Sequence, residues 1–208
     1  MANTTFSGAV RSEGGFTSIS KNTSTGAIST LSSINSSGIT SFDANTMPVE
    51  AGTGITGGTG TIYRSSVQRV GGIITTRILI DLTGLRSTAS GDIIGVNGTS
   101  NVCHIGQITA ARNGTILTGS MECFEAPAGG DPDINVHSAT EGTGVEDGAI
   151  SSLTETSLVD AGDATLGSKV YFTAVPAADE FLYLTLGSTT DADYTAGKLF
   201  IELMGYEA

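Results

Sequence analysis

The segment GGIITTRILIDLTGL, residues 71–85, constrains the fold more than any other part of the chain. Apolar side chains recur there at every second position, and a period of two is that of a half-buried β-strand. One face of this strand is mostly apolar: Ile74, Thr76, Ile78, Ile80 and Leu82. The opposite face is mixed: Thr75, Arg77, Leu79 and Asp81. We therefore expect an extended strand that turns one face toward a core.

Seven further segments have the pattern of short strands bounded by turn residues: DIIGV, NVCHIGQITA, TILTGSMECFEA, AISSLTETSLV, KVYFTAV, EFLYLTL and GKLFIELMGY. Long helices are disfavoured, because the chain has only 9 Lys and Arg in total but 29 Gly and many β-branched residues. The total of about eight strands is the number found in a jelly roll. Residues 63–208 are therefore predicted to form an all-β domain, an antiparallel jelly-roll-like sandwich or barrel.

Residues 1–62 differ from this pattern, and we expect an extended Gly/Ser/Thr-rich arm that ends in a flexible joint, AGTGITGGTGT at 51–61. The arm sets isolated apolar residues among Ser and Thr and has few charges. Disordered tails seldom have this composition, so the arm is predicted to become ordered by burying these residues on a partner. The predicted partner-binding residues are Val10, Phe16, Ile19, Ile28, Leu31, Ile34, Ile39 and Phe42.

Two hairpins are the segments that the sequence most clearly predicts to form the core. A three-residue loop, Arg112-Asn113-Gly114, would pair residues whose numbers sum to 226, which places Cys103 opposite Cys123 and His104 opposite Glu122. The two cysteines would then form either a disulfide or two small buried thiols, and the sequence leaves both open. The second hairpin would join KVYFTAV to EFLYLTL through a turn at 176–179.

Motifs that carry chemistry are weak in this chain. The match to G-x-G-x-x-G at 52–57 lacks the preceding strand and following helix of a dinucleotide site, and GDATLGSK at 162–169 reverses the order of Ser and Lys in a phosphate loop. The stretch DPDIN, 131–135, with Glu141 nearby, alternates oxygen ligands as a calcium loop does, but Val136 replaces the glycine that the sharp turn needs. An acidic surface loop is the favoured interpretation, and metal binding there stays open.

Histidine bases are limited to His104 and His137, with no G-x-S-x-G motif to accompany them. We therefore predict no catalytic residue, no cofactor site and no metal site, and a protein that is not an enzyme. The remaining enzymatic alternative is a polysaccharide depolymerase that uses paired carboxylates, of which Asp179-Glu180 is one example in the sequence. Loss of glycan-cleaving activity on mutation of Asp131 or Glu141 would support it.

The net charge of −12 opposes binding to nucleic acid, whose affinity for proteins comes largely from Lys and Arg. The N-terminus has no basic segment followed by an apolar one, and no apolar run approaches the ~20 residues of a membrane span. The sequence is thus expected to be a soluble product made in a cytoplasm, with no nucleic-acid or membrane partner.

Two end segments carry a family resemblance: TTFSGAVRSEGGF at the start, and VYFTAVPAADEFLYLTLGSTTDADYTAGKLFIELMGY at the end. Together with the glycine joint and the predicted strands, they resemble head decoration proteins, also called cement proteins, of tailed phages that infect aquatic bacteria. The resemblance implies a jelly-roll-like domain that forms trimers on the exterior of an icosahedral capsid, assembled in the host cytoplasm. It also implies that N-terminal segments contact the major capsid protein and clamp its subunits together.

The runner-up hypothesis is a phage fibre or receptor-binding module. A Gly/Ser/Thr-rich shaft would then carry a C-terminal β head that recognises host glycans. The short N-terminal stretch and the absence of Trp argue against it.

Overall fold

The computed structural model describes residues 16–22, 25–26, 28–34, 40–42, 49–160 and 162–207. The chain divides into two compact units, residues 1–47 and residues 48–208. The all-β prediction is confirmed, since strands make up 48% of the structure and helices 7%, and the sheets are antiparallel. Within the described ranges no sheet closes into a barrel, and no helix is long and apolar enough to cross a membrane.

The first unit contains a three-stranded antiparallel sheet in the order β1-β2-β3. Its strands are β1 (Phe16–Lys21), β2 (Ile28–Ile34) and β3 (Thr40–Phe42). The pairing of β1 with β2 shifts register between Ser18 and Ile19. The Ser/Thr-rich stretch therefore pairs with itself in the part that the structure describes.

The second unit has eleven strands within residues 49–160 and 162–207, where about eight were predicted. They are β4 (Ile62–Val70), β5 (Ile73–Asp81), β6 (Arg86–Ser87), β7 (Gly106–Gln107), β8 (Thr115–Ala128), β9 (Ile134–Ala139), β10 (Glu155–Val159), β11 (Lys169–Tyr171), β12 (Phe181–Leu186), β13 (Ala192–Asp193) and β14 (Ala196–Tyr206). Three single turns of helix accompany them: α1 (Thr53–Thr56), α2 (Ala110–Asn113) and a 3₁₀ turn (Ile150–Ser152).

Two sheets of the second unit share one apolar core. The five-stranded sheet has the order β11-β8-β14-β5-β4, the four-stranded sheet has the order β10-β9-β12-β7, and a short pair joins β13 to β6. The predicted alternation of β5 is confirmed: Ile74, Thr76, Ile78 and Ile80 are buried. From the other sheet Val136, Leu182 and Leu184 belong to the same buried cluster as Ile78 and Ile80.

The hairpin predicted around Arg112-Asn113-Gly114 is wrong. Residues 110–113 form α2, in which the Thr109 side chain accepts a hydrogen bond from the Arg112 N–H, and the buried Asn113 donates to the Thr76 hydroxyl at 2.7 Å. This turn carries the chain from one sheet to the other, since β7 pairs with β12 whereas β8 pairs with β14 and β11.

Cys103 and Cys123 are consequently not opposite each other. Cys123 lies on β8 opposite Leu199, whereas the Cys103 N–H donates to the Gly144 carbonyl in a loop. Both are buried free thiols. Burial raises the pKa of Cys103 to about 11, so this thiol stays protonated and unreactive at neutral pH.

The second predicted hairpin is also wrong. Strand β11 pairs with β8 in the five-stranded sheet, and β12 pairs with β9 and β7 in the four-stranded sheet. Residues 172–180 therefore cross between sheets rather than turn back within one. Local turn chemistry at Pro176 does not decide this pairing, because β11 and β12 find their partners, β8 and β9, elsewhere in the chain.

The expected flexible joint at 51–61 is instead packed into the second unit. The N–H groups of Gly52 and Gly54 donate to the carbonyls of His104 and Val102, and Ile55 is fully buried. A Cβ on Gly54 would lie 2.4 Å from the Cys103 Sγ, so glycine is needed there for close approach of the backbone. The structure thus divides the chain after residue 47, whereas the predicted boundary followed residue 62.

Tyr63 on β4 connects the segment 49–61 to the rest of the second unit by hydrogen bonds. Its hydroxyl lies 2.7 Å from the carbonyl oxygens of both Val49 and Ile105 and can donate to either. The Ser65 hydroxyl also donates to the Val49 carbonyl and accepts from the Val49 N–H. Burial raises the pKa of Tyr63, so its hydroxyl remains a donor over the whole physiological range.

We predict that Tyr63→Phe lowers the free energy of unfolding by about 1–3 kcal/mol, because the Ile105 carbonyl loses its Tyr63 donor while the ring still packs. Urea denaturation of the full chain measures this. The matched control is Tyr171→Phe, at a position 68% exposed, which should change stability by less than about 0.5 kcal/mol. Equal stability of the two variants would contradict the anchoring role.

Candidate interaction surface

The side of the five-stranded sheet that faces away from the core, here called the outer face, is the main candidate site. The middle strand, β14, shows which residues belong to this face. Leu199, Ile201 and Leu203 are buried in the core, so Phe200 and Met204 lie on the opposite side of the strand. The register extends this division across the sheet, because directly opposed residues share a face.

Large apolar side chains are exposed on this sheet. Eight residues of its five strands are at least 39% exposed: Ile62, Val70, Ile73, Leu117, Phe124, Tyr171, Met204 and Tyr206. Val70 lies opposite Ile73, and Ile73 lies opposite Tyr206, so three strands contribute one continuous apolar row. Soluble monomers rarely expose contiguous apolar patches of more than a few hundred Å². The outer face therefore has the character of an interaction surface.

An aromatic pair is prearranged on the same face. The rings of Phe124 on β8 and Phe200 on β14 are stacked, with centroids 5.2 Å apart and planes 9° from parallel. Phe200 also lies opposite Leu79 on β5, so aromatic and aliphatic groups adjoin across three strands. Rigid aromatic groups of this kind are favoured anchors in protein interfaces, because little conformational entropy is lost when they bind.

The charged residues of the outer face pair mainly with one another. Three groups form: Arg77 with Glu202 at 2.8 Å, Lys169 with Glu122 at 3.5 Å, and Lys198 with both Asp81 and Glu125. Glu125 and then Asp81 raise the pKa of Lys198, so this cation is held charged. Arg64, which lies opposite Leu79, is a fourth cation on this face. The face therefore carries four cations and four anions and is neutral, although the whole chain has a net charge of −12.

Six of the eight predicted arm residues lie on strands of the first unit: Phe16, Ile19, Ile28, Leu31, Ile34 and Phe42. Phe16 is opposite Ile34, and Phe42 is opposite Ser32. The side chain of Ile19 is 51% exposed. Val10 and Ile39 lie outside the described residues, and binding of a partner by this set stays a prediction.

A hydroxyl, an imidazole and a carboxylate meet on the four-stranded sheet. The His137 Nδ1 lies 3.0 Å from the Thr185 Oγ1, and its Nε2 lies 3.8 Å from the Glu155 Oε2. The order of groups is that of a catalytic triad. Thr185, however, is 0% exposed, so its hydroxyl has no access to a substrate. The contact instead joins the three strands β9, β10 and β12.

His104 does not pair with Glu122, as the wrong hairpin required. Its ring packs against Phe181 at 5.0 Å and Tyr183 at 6.5 Å between centroids, and its buried Nδ1 has no hydrogen-bond partner. Burial lowers the pKa of His104 and also that of His137, where the negative charges of Glu155 and Asp160 oppose the shift.

Only the last two residues of the calcium-like stretch 131–135 belong to a strand, because β9 begins at Ile134. The carboxylate of Asp131 accepts hydrogen bonds from the N–H groups of Asp133 and Thr190, each at 3.0 Å. Glu141 is bound by both the N–H and the hydroxyl of Thr154. Across the part of the chain that the structure describes, no three His, Cys, Asp or Glu residues are grouped so that they could hold a metal ion.

Asp131 and Asp133 have opposite electrostatic environments. Burial raises the pKa of Asp133, and the negative charges of Asp131 and Asp163 raise it further. Burial also acts to raise the pKa of Asp131, but hydrogen bonds from Asp133 and Thr190 outweigh it and lower the pKa. Ionisation is therefore less favourable at Asp133, and more favourable at Asp131, than for an aspartate in water.

Comparisons of the chain with protein-family models, with curated proteins and with solved structures found no match.

We predict that the free energy of unfolding falls as the pH drops below about 6.5, the value for an unperturbed histidine. His104 and His137 have lower pKa values when folded, so the unfolded chain binds more protons in this range. Urea denaturation between pH 7.5 and about pH 5.5 measures the slope. His104→Phe should reduce this slope; an unchanged slope would contradict the assignment.

We predict that Asp133→Asn raises the melting temperature at pH 7, because it removes a carboxylate whose folded pKa is raised. The gain should shrink as the pH falls toward about 3, where Asp133 is protonated in both states. Asp131→Asn is the matched control and should lower the melting temperature at pH 7, since its folded pKa is lowered. Thermal unfolding followed by circular dichroism tests both, and shifts of equal sign would disprove the assignment.

Proposed function

We propose that the chain is a non-enzymatic structural protein of a virion. It binds the outer surface of an icosahedral capsid and stabilises contacts between major capsid protein subunits. The observation that carries this proposal is the outer face, whose exposed large apolar residues and internally paired charges are typical of a protein that functions in an assembly, while the capsid contact itself is assigned to the first unit. Such a face suits contact with protein, since apolar area and aromatic anchors supply most of the binding free energy at interfaces. The capsid as partner comes from the resemblance of the two end segments to phage head decoration proteins.

Support for a non-enzymatic role comes from the polar groups of the second unit. The triad-like hydroxyl of Thr185 is buried, the Cys103 thiol is held protonated, and Glu141 is occupied by Thr154. A depolymerase built on Asp131 and Glu141 would need these carboxylates to face a substrate, whereas both accept hydrogen bonds from the protein's own backbone.

The mechanical role suits the two-unit organisation. The first unit carries the predicted capsid-binding residues, and the second unit lies on the capsid exterior. The proposal includes a jelly-roll-like arrangement of the two sheets of the second unit. A net negative exterior limits adhesion to other polyanionic surfaces.

The test is the copy number of the chain in purified phage particles, measured by mass spectrometry with isotope-labelled peptides. A protein that covers the capsid should be present in hundreds of copies per particle, in a fixed ratio to the major capsid protein set by icosahedral symmetry. A count in the tens would favour the fibre alternative. Absence from particles would overturn the proposal.

A second readout tests the capsid contact itself. Trypsin should cut after Lys21, which is exposed on β1, more slowly in particle-bound protein than in the free chain. Equal rates of cleavage would mean that the first unit does not hold the capsid.

A further inference from the structure

We infer that the outer face of the five-stranded sheet binds the same face of a second copy of this chain, so that the protein forms a twofold dimer in solution. This inference does not rest on the capsid role. Two sheets that pack face to face lie about 10 Å apart, with side chains of the two facing surfaces interdigitated. The outer face offers the required material: an apolar row at Val70, Ile73 and Tyr206, and the stacked rings of Phe124 and Phe200.

The exposed area agrees with a stable dimer. Register or ring stacking assigns seven of the eight exposed apolar residues to the outer face, all but Leu117, which lies at a register shift of β8. At roughly 100 Å² each they offer roughly 700 Å² per copy, close to the ~800 Å² buried per partner in a standard interface.

The distribution of charge favours a second copy over a charged partner. Lys169, Lys198 and Arg77 each have an anion within the same copy, so the outer face offers no net charge to attract an acidic or basic surface. Two chains of net charge −12 repel each other over most of their surfaces. The neutral face is where two copies approach with the least repulsion, and charges that already have partners cost less to bury than unpaired charges do.

The symmetry of this contact separates it from the expected trimer. A surface that binds its own copy is isologous, so two copies close the contact and leave no repeat of it for a third. A trimer would require two different surfaces on each copy. The outer face therefore predicts dimers, whatever further contacts a capsid would add.

Sedimentation velocity of the full chain tests the inference across a hundredfold range of protein concentration. A species of twice the monomer mass of 21.0 kDa should appear as the concentration rises. Raising the NaCl concentration should strengthen the dimer, because salt screens the repulsion between acidic chains while the apolar contact is retained. An interface made of ion pairs between copies would weaken instead and would contradict the inference.

Substitutions locate the contact. Phe124→Ser and Tyr206→Ser should each raise the dimer dissociation constant at least tenfold, whereas the control Leu166→Ser, exposed at 73% in the loop between β10 and β11, should leave it unchanged. Circular dichroism checks that each variant folds, and Tyr171→Ser, at the most exposed position of the face, replaces any that does not. A chain that stays monomeric, a trimer, or a dimer unaffected by these substitutions would overturn the inference.

Discussion

The alternation of side chains along β14, residues 196–206, decides both what the second unit buries and what it exposes. Leu199, Ile201 and Leu203 fill the core, and Phe200 and Met204 fall on the other side because successive residues of a strand point in opposite directions. As the middle strand, β14 passes this division to β5 and β8 through their registers. A shift of one residue would exchange the two faces and expose the core. The outer face is thus fixed by the same pairing that stabilises the fold.

Periodicity in the sequence predicted the longest strands, but the predicted strand DIIGV forms only isolated bridges, and NVCHIGQITA contributes only the two residues of β7. The strand at 73–81 and the all-β class follow from local pattern and composition. Pairing does not, because it depends on residues far apart in the chain: both predicted hairpins failed where α2 and residues 172–180 carry the chain between sheets. The strand at 62–70 was missed because its apolar residues are few, and it is held by Tyr63 and by its neighbour β5.

The candidate site was only partly visible in the sequence. GKLFIELMGY has apolar residues on both faces of a strand, and this signal indicates either burial on both sides or an exposed apolar face. The stacking of Phe124 on Phe200 and the pairing of Arg77 with Glu202 join residues 76 and 125 positions apart, so no local pattern reveals them. The same holds for the contact of His137 with Thr185. The predicted binding residues all belong to the first unit, because isolated apolar residues are conspicuous in a Ser/Thr-rich stretch, whereas those of the outer face are spread over five strands.

The central claim is that the outer face is covered when the protein associates. Hydroxyl-radical footprinting of the full chain measures this directly, since oxidation of a side chain follows its exposure to solvent. The account predicts that oxidation of Phe124, Tyr171 and Met204 slows as protein concentration rises, while oxidation of Leu166 in its exposed loop stays constant. Oxidation rates on the outer face that do not change with concentration would contradict it.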